Sequence, residues 1–476
     1  MGQSARDFVD FLAEAGQSYW QLLPVGPTSY GDSPYQSFST FAGNPYFIDL
    51  DDLESEDMLS PVEFQDLDWG ADPASVDYGL LYERRYPVLR KAIKRLLEHL
   101  PNDFDGFCNS QAVWLEDYAL FMALKGKHGG ISWLQWPISD RLRDPQAMAE
   151  NRSELTEEIF FWKAVQYLFF KQWNALKVFA NQRGISIIGD LPIYVSGDSV
   201  DVWSNPEQFQ LNENGEPTKL AGCPPDSFTP DGQLWGNPLF NWDYMTENGY
   251  TWWLNRIQFQ FRIYDTLRID HFRGFDSYYA ISCGCNTAQD GYWCLGPGED
   301  FFRVVNEKLG SRNIIAEDLG FLTPSVHKLL EYTGYPGMKI LEFAFDSRDS
   351  SGSSYLPHKY QQNCVVYTGT HDNDTIQGWM SSAPPDDVAY AKRYLRLNDE
   401  DGYHWGMMRA AWASVANLAI MQMQDIIGLG SEARMNIPST VGANWKWRAL
   451  AGAYSLNLAK KLHSEMSLYG RLPNQN

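Results

Sequence analysis

The sequence predicts an α/β fold, a (β/α)8 barrel of the TIM type with inserted helical subdomains. Two observations support this prediction. Segments with helical periodicity alternate with short apolar runs along the whole chain, which favours a parallel sheet. Several of these runs also end directly on carboxylates, and the catalytic side chains of a β/α barrel lie at the carboxyl ends of its strands. The clearest case is the segment 267–275, where an apolar start precedes Asp270, His271 and Arg273.

The same pattern recurs at 314–320 and 365–374, where apolar runs lead into Glu317 and Asp372. A β/α unit needs roughly 30 residues, so the three carboxylates are far enough apart to belong to successive units with inserted loops. Three carboxylates at one barrel mouth suit glycoside chemistry, since one can attack the anomeric carbon while another protonates the departing oxygen. A salt bridge that merely caps a strand is the structural alternative for Asp270.

Taken in order, the chain begins with a helix at 4–15 that Gly16 ends. After a short strand, the loop 26–45 is dense in hydroxyl groups and rings, which is typical of a binding loop on a rigid scaffold. Residues 51–150 alternate acidic spacers with amphipathic stretches and predict a mostly helical insertion. A long aromatic helix follows at 153–182.

Residues 196–242 contain little regular pattern, and their Gly and Pro residues indicate an ordered, lid-like insertion. The whole chain, 1–476, is expected to form a single catalytic barrel domain, with a further helical insertion at 380–417. Other helices are predicted at 252–264, 386–418 and 449–468. The predicted barrel strands are 19–23, 185–189, 267–270, 314–317, 339–343, 365–368 and 418–422.

Composition excludes several classes of protein. A hydrophobic fraction of 44% in 476 residues is ample for a large core. The net charge of −22 argues against nucleic acids and anionic membranes as partners. Without a long apolar run or a secretory leader, a cytoplasmic protein is expected, and we expect a monomer.

The cysteine and aromatic content indicates which cofactors and ligands the protein is expected to bind. Six cysteines are too few for a disulfide scaffold, and Cys283, Cys285 and Cys294 have no neighbouring ligands to complete a zinc site. No metal and no organic cofactor are therefore expected. The 18 tryptophans and 26 tyrosines suit a carbohydrate-binding protein, because flat rings stack on sugars, although most such rings pack in the core.

Seven motifs occur in consistent order between about residue 4 and residue 471. They are Asp32-Ser-Pro-Tyr-Gln-Ser-Phe38, Gly189-Asp-Leu-Pro-Ile-Tyr-Val195, Gln233-Leu-Trp-Gly-Asn-Pro238, Arg268-Ile-Asp-His-Phe-Arg-Gly274, Ala316-Glu-Asp-Leu-Gly320, Thr370-His-Asp-Asn-Asp-Thr375 and Asn444-Trp-Lys-Trp-Arg448. Together they resemble glycoside hydrolase family 77, the 4-α-glucanotransferases known as amylomaltases or disproportionating enzymes, in the α-amylase clan.

The resemblance implies roles for particular residues. Asp270 corresponds to the nucleophile, Glu317 to the general acid/base and Asp372 to a third carboxylate that grips sugar hydroxyls and favours the distorted ring. The residues implied to bind substrate are Tyr30, Ser33, Tyr35, Asp190, Asp226, Trp235, Arg268, His271, His371 and Asn444.

The implied activity is a retaining double displacement in starch, glycogen and maltodextrin metabolism. It would transfer α-1,4-glucan segments between maltooligosaccharides or to glucose. An α-amylase-like hydrolase is the first alternative. A non-catalytic glucan-binding protein is a more distant one, because it would need at least one of the three carboxylates replaced.

Side chains alternate between the two faces of a strand, which allows expectations for the residues around Asp270 and Glu317. Arg268 and Asp270 are two residues apart and share a strand face, so the guanidinium is expected to lower the pKa of Asp270. Glu317 must begin protonated, which requires a less solvated setting or neighbouring carboxylates. Asp318 points to the opposite face and is expected to be structural. His271 also alternates away from Asp270, which leaves its contact with substrate open.

Some features depart from the family pattern. Ser439 stands where the family usually has glycine, and the loop 291–296 lacks the basic residues often found there. Family members also carry a strand before the helix that begins here near Ser4, and a closed barrel needs eight strands where seven are predicted. We therefore expect the first barrel strand to be missing from this chain, a gap between the first and last strands, and roughly 20–30 further residues upstream in the natural protein.

Overall fold

Parallel strands form the centre of the molecule, as the sequence predicts. The computed structural model describes residues 1–29, 31–225, 230–320, 322–347 and 352–473. Its strands are β1 (Tyr19–Gln21), β2 (Ser186–Leu191), β3 (Lys219–Cys223), β4 (Gln233–Pro238), β5 (Thr266–Ile269), β6 (Ser277–Ser282), β7 (Tyr292–Leu295), β8 (Ile314–Ala316), β9 (Gly337–Ile340), β10 (Cys364–Tyr367) and β11 (Leu418–Ile420).

Two parallel sheets contain the seven predicted strand positions. One sheet has the order β1-β2-β5-β8 and the other the order β11-β10-β9. In the first, Arg268 of β5 pairs with Asp190 of β2 on one side and Ile315 of β8 on the other. The sheets meet where the Ala316 amide donates to the Pro336 carbonyl at 2.9 Å. The α/β class is confirmed, and in the described residues the seven strands form these two sheets and no closed barrel.

A cavity of about 410 Å³ lies between the outer strands of the two sheets, β1 and β11. Residues of both strands line it, and Phe8, Phe11 and Leu462 from the first and last helices cover one side. Within the described ranges no ladder joins β1 to β11. The two strands therefore face each other across an open space.

The region predicted to lack regular structure contains two strands, so the prediction for 196–242 is wrong in this respect. β3 and β4 belong to an antiparallel sheet with the order β4-β3-β6-β7. This sheet is connected to the parallel one by the 3₁₀ helix Phe272–Phe275, which joins β5 to β6 within a few residues. Phe275 of this connector stacks on Phe301 with ring centroids 4.8 Å apart.

The helices surround the sheets, and most lie where helical periodicity predicts them. They are α1 (Gln3–Glu14), α2 (Leu50–Ser55), α3 (Tyr78–Glu98), α4 (Phe104–Lys127), α5 (Ile138–Arg141), α6 (Pro145–Glu154), α7 (Thr156–Gln182), α8 (Val200–Ser204), α9 (Trp242–Glu247), α10 (Thr251–Ile263), α11 (Gly298–Leu309), α12 (Pro324–Thr333), α13 (Ile376–Ser382), α14 (Pro385–Leu395), α15 (Tyr403–Trp412), α16 (Met423–Ile427) and α17 (Leu456–Leu468).

Three predicted boundaries are wrong. The helical stretch 386–418 is divided between α14 and α15, and α17 begins only where Ser455 caps it by accepting from the Leu458 amide at 3.2 Å. The predicted strand 339–343 ends at Ile340 and continues as the 3₁₀ helix Glu342–Phe345. A five-residue apolar run does not reveal where a strand turns into a tighter helix.

Close packing fixes the strand that carries Asp190. A methyl group on Gly189 would overlap the ring of Tyr264, so only glycine lets β2 lie this close to the residue after α10. The neighbouring Ile187 and Ile188 are fully buried. No helix in the described part of the chain is long and apolar enough to cross a membrane.

Candidate active site

The candidate site lies at the carboxyl ends of neighbouring parallel strands. Asp270 follows β5 directly and its amide donates to the Leu191 carbonyl of β2 at 3.0 Å. Glu317 follows β8, and its amide donates to the Ile269 carbonyl at 3.0 Å. The ends of three adjacent strands therefore bring Asp190, Asp270 and Glu317 to one edge, as the strand-end pattern predicts.

Arg268 links two of these carboxylates. Its Nη1 lies 2.7 Å from both carboxylate oxygens of Asp190 and 3.1 Å from Oδ1 of Asp270. The side chains of Arg268 and Asp190 are only 5% and 1% exposed, whereas that of Asp270 is 28% exposed. Arg268 thus contacts and orients Asp270, whose side chain remains partly accessible to solvent.

Aromatic rings flank this cluster. The Tyr35 hydroxyl donates to Oδ2 of Asp190 at 2.7 Å, and its ring stacks on His371 with centroids 5.0 Å apart. Trp445 lies beside both rings, 5.9 Å from Tyr35 and 5.7 Å from His371. The loop after β1, the loop after β10 and the 444–448 segment therefore meet above Asp190.

Glu317 is held by backbone amides. Its Oε2 accepts from the His271 amide at 2.7 Å and its Oε1 from the Leu319 amide at 2.9 Å. Burial raises the pKa of Glu317, while Arg268 and these two amides oppose the rise. A raised pKa is what a general acid requires near neutral pH.

The expected lowering of the Asp270 pKa is wrong for the free site. Arg268 does lower it, but loss of solvation outweighs Arg268, and Asp190 and Glu317 raise the pKa further. The net effect raises the pKa of Asp270. The charge of Glu317 contributes to the raised pKa of Asp270, so the two carboxyls titrate as an interacting pair.

Asp372 lies on the loop after β10, and residues of the segment after α16 hold it in place. Asn436 Nδ2 donates to its Oδ1 at 2.6 Å, and Arg434 Nη2 donates to its carbonyl at 2.6 Å. His371 Nε2 lies 3.5 Å from the same Oδ1. Burial lowers the pKa of His371, and Asp372 opposes that shift. The Asp372 side chain remains 48% exposed, so it is open to a bound sugar.

His271 has a strained backbone and a free ring nitrogen. Its φ of 49° lies in the left-handed region, and its buried Nε2 has no hydrogen-bond partner in the described part of the chain. Burial lowers the pKa of His271 to about 3, so the ring is neutral. The ring meets Trp235 edge to face at 4.9 Å, beside the antiparallel sheet. Strain with an unpaired polar atom is typical of a functional position.

Two of the residues implied to bind substrate make hydrogen bonds within their own loops and do not contact the carboxylate cluster. Ser33 Oγ accepts from the Tyr35 amide at 3.2 Å. Asn444 is buried and its amide group binds within its own loop, accepting from the Ile437 amide at 3.0 Å and donating to the Thr440 carbonyl at 2.9 Å. Tyr30 and Asp226 lie outside the described residues. Asp318 accepts from the Met338 amide at 2.6 Å, a structural contact between β8 and β9.

Sequence reasoning missed Asn436, Arg434 and Trp445. Each lies more than 60 residues from the Asp372 or Tyr35 contact that it makes. Trp445 lies within the motif at 444–448, whereas no local pattern indicates that Arg434 and Asn436 contact Asp372. Among the described residues, no group of three or more His, Cys, Asp or Glu side chains is placed to hold a metal ion.

The geometry supports acid/base and nucleophilic chemistry on a neutral polar substrate. It offers a carboxylate backed by a guanidinium, a second carboxyl with raised pKa and a third carboxylate at the rim. Aromatic rings beside them can stack on apolar sugar faces.

Comparison with known proteins agrees with this chemistry. The family model described as 4-alpha-glucanotransferase matches residues 1–452. The chain is 48% identical to a 4-alpha-glucanotransferase of Clostridium butyricum over 99% of this chain and 96% of that protein. It is 47% identical to a 4-alpha-glucanotransferase of Thermus thermophilus over 99% and 95% of the two chains.

A solved structure is similar over nearly the full length. It is the amylomaltase from Streptococcus agalactiae in complex with acarbose, with a TM-score of 0.96 and 43% identity. The alignment covers 99% of this chain and 96% of that one. The resemblance drawn from the seven motifs is confirmed.

Proposed function

The chain belongs to the 4-alpha-glucanotransferases of glycoside hydrolase family 77, and we propose that Asp270, Glu317 and Asp372 carry out the transfer. The enzyme is a 4-alpha-glucanotransferase. The observation that supports these residue roles is the contact of Arg268 with Asp270 beside a second carboxyl whose pKa is raised. Asp270 is the nucleophile, Glu317 the general acid/base and Asp372 the group that binds sugar hydroxyls.

In the first step, a carboxylate oxygen of Asp270 bonds to C1 of a glucosyl unit as the C1–O4 bond breaks. Glu317 gives its proton to the departing O4, which leaves as the 4-hydroxyl of the released chain. Glu317 must therefore be protonated and Asp270 ionised at this moment. A glycosidic oxygen next to Glu317 favours that arrangement because it accepts the proton, while Arg268 stabilises the ionised Asp270.

In the second step, the 4-hydroxyl of an acceptor attacks C1, Glu317 takes its proton and Asp270 leaves as a carboxylate. The configuration at C1 is inverted twice and so retained. Transfer exceeds hydrolysis only if water is kept from the intermediate while a sugar is held. Trp235, which contacts His271, and Tyr35, which contacts His371, are placed to exclude water from the intermediate.

The remaining assignments are part of the same proposal. Maltooligosaccharides are donors, maltooligosaccharides and glucose are acceptors, and Ser33, His271, His371, Asp190, Arg268, Asn444 and the undescribed Tyr30 and Asp226 support substrate binding. The protein acts as a cytoplasmic monomer. It is one catalytic domain in which 51–150, 196–242 and 380–417 are insertions. The two parallel sheets are parts of one eight-stranded barrel, and the cavity between β1 and β11 is the place of its further strand.

Incubation with maltotriose tests the activity directly. Transfer yields glucose and longer maltodextrins with no net gain of reducing ends, because each bond broken is replaced. Labelled glucose should appear at the reducing ends of the products. A net increase of reducing sugar that added glucose does not suppress would indicate the hydrolase alternative.

The Glu317→Gln variant tests the acid/base role. An α-glucosyl fluoride needs little acid help to leave, so the first step should proceed while the second is slow. Intact mass should then show one glucosyl unit on the protein, mapped to Asp270. Absence of any adduct, with the variant folded, would contradict the assignment of Glu317.

A further inference from the structure

A fourth carboxyl lies at the strand ends, and no step above uses it. Glu342 follows β9 and is only 2% exposed, and its carboxyl oxygen Oε1 has no hydrogen-bond partner among the described residues. A buried and incompletely bonded carboxyl is costly unless it is uncharged or serves a purpose. Its position corresponds to that of Asp270 after β5 and Glu317 after β8.

Charged groups reach Glu342 from three neighbouring segments. Asp374 faces it from the loop after β10, Asp425 from α16 and Arg434 from the segment after α16. The two carboxylates disfavour a negative charge on Glu342 and the single arginine favours one. Asp425 is itself fully buried and uses both oxygens, accepting from the Thr368 hydroxyl at 2.8 Å and the Ile376 amide at 2.7 Å.

Glu342 contacts the loop that carries Asp372. Its amide donates to the Thr368 carbonyl at 3.2 Å, and its carboxyl carbon lies 3.4 Å from where a Cβ on Gly369 would stand. The Asn373 side chain lies close to this carboxyl and lowers its pKa, which partly offsets the effect of burial. The Glu342 carboxyl therefore lies directly beneath the loop that begins at Thr368.

Asn373 extends this contact to the whole loop. Its Oδ1 accepts from the Thr370 amide at 2.9 Å and from the Thr370 hydroxyl at 3.0 Å, and the Asp372 amide donates to that hydroxyl at 3.3 Å. Hydrogen bonds thus run from Asn373, which lies beside the Glu342 carboxyl, through Thr370 to Asp372.

We propose that Glu342 is a positioning residue for Asp372, and that it supports the loop 369–373 as an uncharged carboxylic acid. The inference rests on the role of Asp372 in the proposed function. Ionised Glu342 would add a third negative charge beside Asp374 and Asp425 and draw Asn373 out of its contact with Thr370. The loop would then no longer hold Asp372 against Asn436.

The direction of the pH effect follows from burial. Burial raises the pKa of Glu342 well above its ordinary value, with Asp425 and Asp374 adding to the rise. In the unfolded chain the same group ionises near pH 4.5. Between these two pKa values the folded protein binds one more proton than the unfolded chain, so this contribution to stability is full at low pH and falls as pH increases.

The test compares Glu342→Gln, Glu342→Leu and Glu342→Ala with the parent. Gln reproduces the uncharged acid, Leu keeps the volume without a polar group beside Asn373, and Ala leaves a cavity. Glu331→Gln removes the same charge from an exposed site on α12 and is the matched control. Unfolding and maltotriose kinetics are measured between pH 5 and pH 8.

We expect Glu342→Gln to keep kcat/KM within about threefold of the parent. Its folding equilibrium constant should gain on the parent by up to about tenfold per pH unit as pH rises, because the glutamine does not titrate. Glu342→Leu and Glu342→Ala should lose at least tenfold in kcat/KM at temperatures where they are folded. Glu331→Gln should show neither effect.

Two results would overturn the proposal. One is a difference between Glu342→Gln and the parent that does not change with pH. The other is full activity in a folded Glu342→Leu variant. If Glu342→Ala does not fold, Glu342→Leu decides the positioning role. Full activity of an Asp372→Asn variant would instead contradict the proposed role of Asp372, and the pH dependence of Glu342→Gln would still report the state of Glu342.

Discussion

The two parallel sheets treat the carboxyls at their strand ends differently. In the four-stranded sheet, Arg268 lies between Asp190 and Asp270 and serves both as a counter-ion. Beside the three-stranded sheet, Asp425 of α16 accepts two hydrogen bonds, and burial raises the pKa of Glu342 and that of Asp425, the latter to about 6. Burial also raises the pKa values of Asp270 and Glu317, so what distinguishes the four-stranded sheet is the guanidinium in contact with its carboxyls.

This difference matches two requirements of a retaining transfer. The nucleophile must be charged when it attacks, and an adjacent guanidinium supplies that condition. The loop that holds a sugar by its hydroxyls must instead be rigid, and uncharged buried groups make rigid hydrogen bonds without needing a counter-ion. The following four changes test this contrast, in order of decreasing effect.

Asp270→Asn should have the largest effect on activity and a small effect on the fold. An amide cannot act as the nucleophile, so transfer should fall by several orders of magnitude, and in any case by more than about 100-fold. Arg268 keeps its contacts with Asp190, so the unfolding temperature should stay close to that of the parent. Maltotriose disproportionation above about one hundredth of the parent rate would show that Asp270 is not the nucleophile.

Arg268→Met should affect both activity and stability. It leaves Asp190, with a side chain 1% exposed, buried without its cation. Breaking such a pair costs about 3–5 kcal/mol, which chemical denaturation would measure. Arg393→Met, at an exposed position on α14, is the matched control and should change the free energy of unfolding by less than about 0.5 kcal/mol. A loss below about 1 kcal/mol in Arg268→Met would mean that the sheet does not depend on its counter-ion.

Thr368→Val tests the three-stranded sheet. It removes the hydroxyl that donates to Oδ2 of Asp425 and leaves a buried acceptor unsatisfied, at a cost of about 1–3 kcal/mol. The Thr368 hydroxyl favours the ionised form of Asp425, so removing this hydroxyl raises the Asp425 pKa beyond about 6. The stability deficit should therefore be larger at pH 7.5 than at pH 4.5, where Asp425 is protonated in parent and variant alike.

The control for that measurement is Thr333→Val, which removes a hydroxyl that donates to the Leu330 carbonyl at 3.0 Å on α12. Its effect on stability should not vary with pH, because no titrating group is involved. A pH-independent deficit in Thr368→Val as well would show that Asp425 does not change its protonation in this range.

Ser439→Gly should give the smallest effect and a favourable one. Ser439 is exposed and has φ of 64°, a left-handed conformation that costs a residue with a Cβ about 1–2 kcal/mol. Glycine relieves this cost but loses about 0.5–1 kcal/mol through greater freedom in the unfolded chain. A net gain of about 0.5–1 kcal/mol should appear as a higher unfolding temperature. An unchanged or lower value would show that the loop beyond Asn436 stores no backbone strain.

The sequence alone was sufficient to predict the positions of the parallel strands and the three carboxylates that follow them. Apolar runs that end on Asp270 and Glu317 are visible without any knowledge of the fold, because burial and charge change abruptly at a strand end. The shared face of Arg268 and Asp270 also follows from strand alternation and is confirmed by their 3.1 Å contact. The roles of these residues stay proposals that the variants above test.

Other features depend on contacts that no local pattern encodes. The Asp270 pKa is raised first by burial and then by Asp190 and Glu317, which come from separate strands, so spacing to Arg268 alone gave the wrong direction. β3 and β4 escaped prediction because Gly and Pro interrupt their pattern and the two strands pair with a register shift between Leu220 and Gly222. β3 pairs with β6, far along the chain, and β4 pairs with β3, so tertiary context stabilises both strands.

The connector Phe272–Phe275 makes β5 and β6 a single cooperative unit of the molecule. Both its phenylalanines are fully buried, and Phe302 packs on each of them with ring centroids 5.2 Å apart. Local opening of the antiparallel sheet at β6 would have to extract this aromatic core, which is a sub-global rather than a local event. Amide hydrogens of β5 and β6 should therefore exchange with deuterium at the same slow rate. Those of β7, at the edge of the same sheet, should exchange faster.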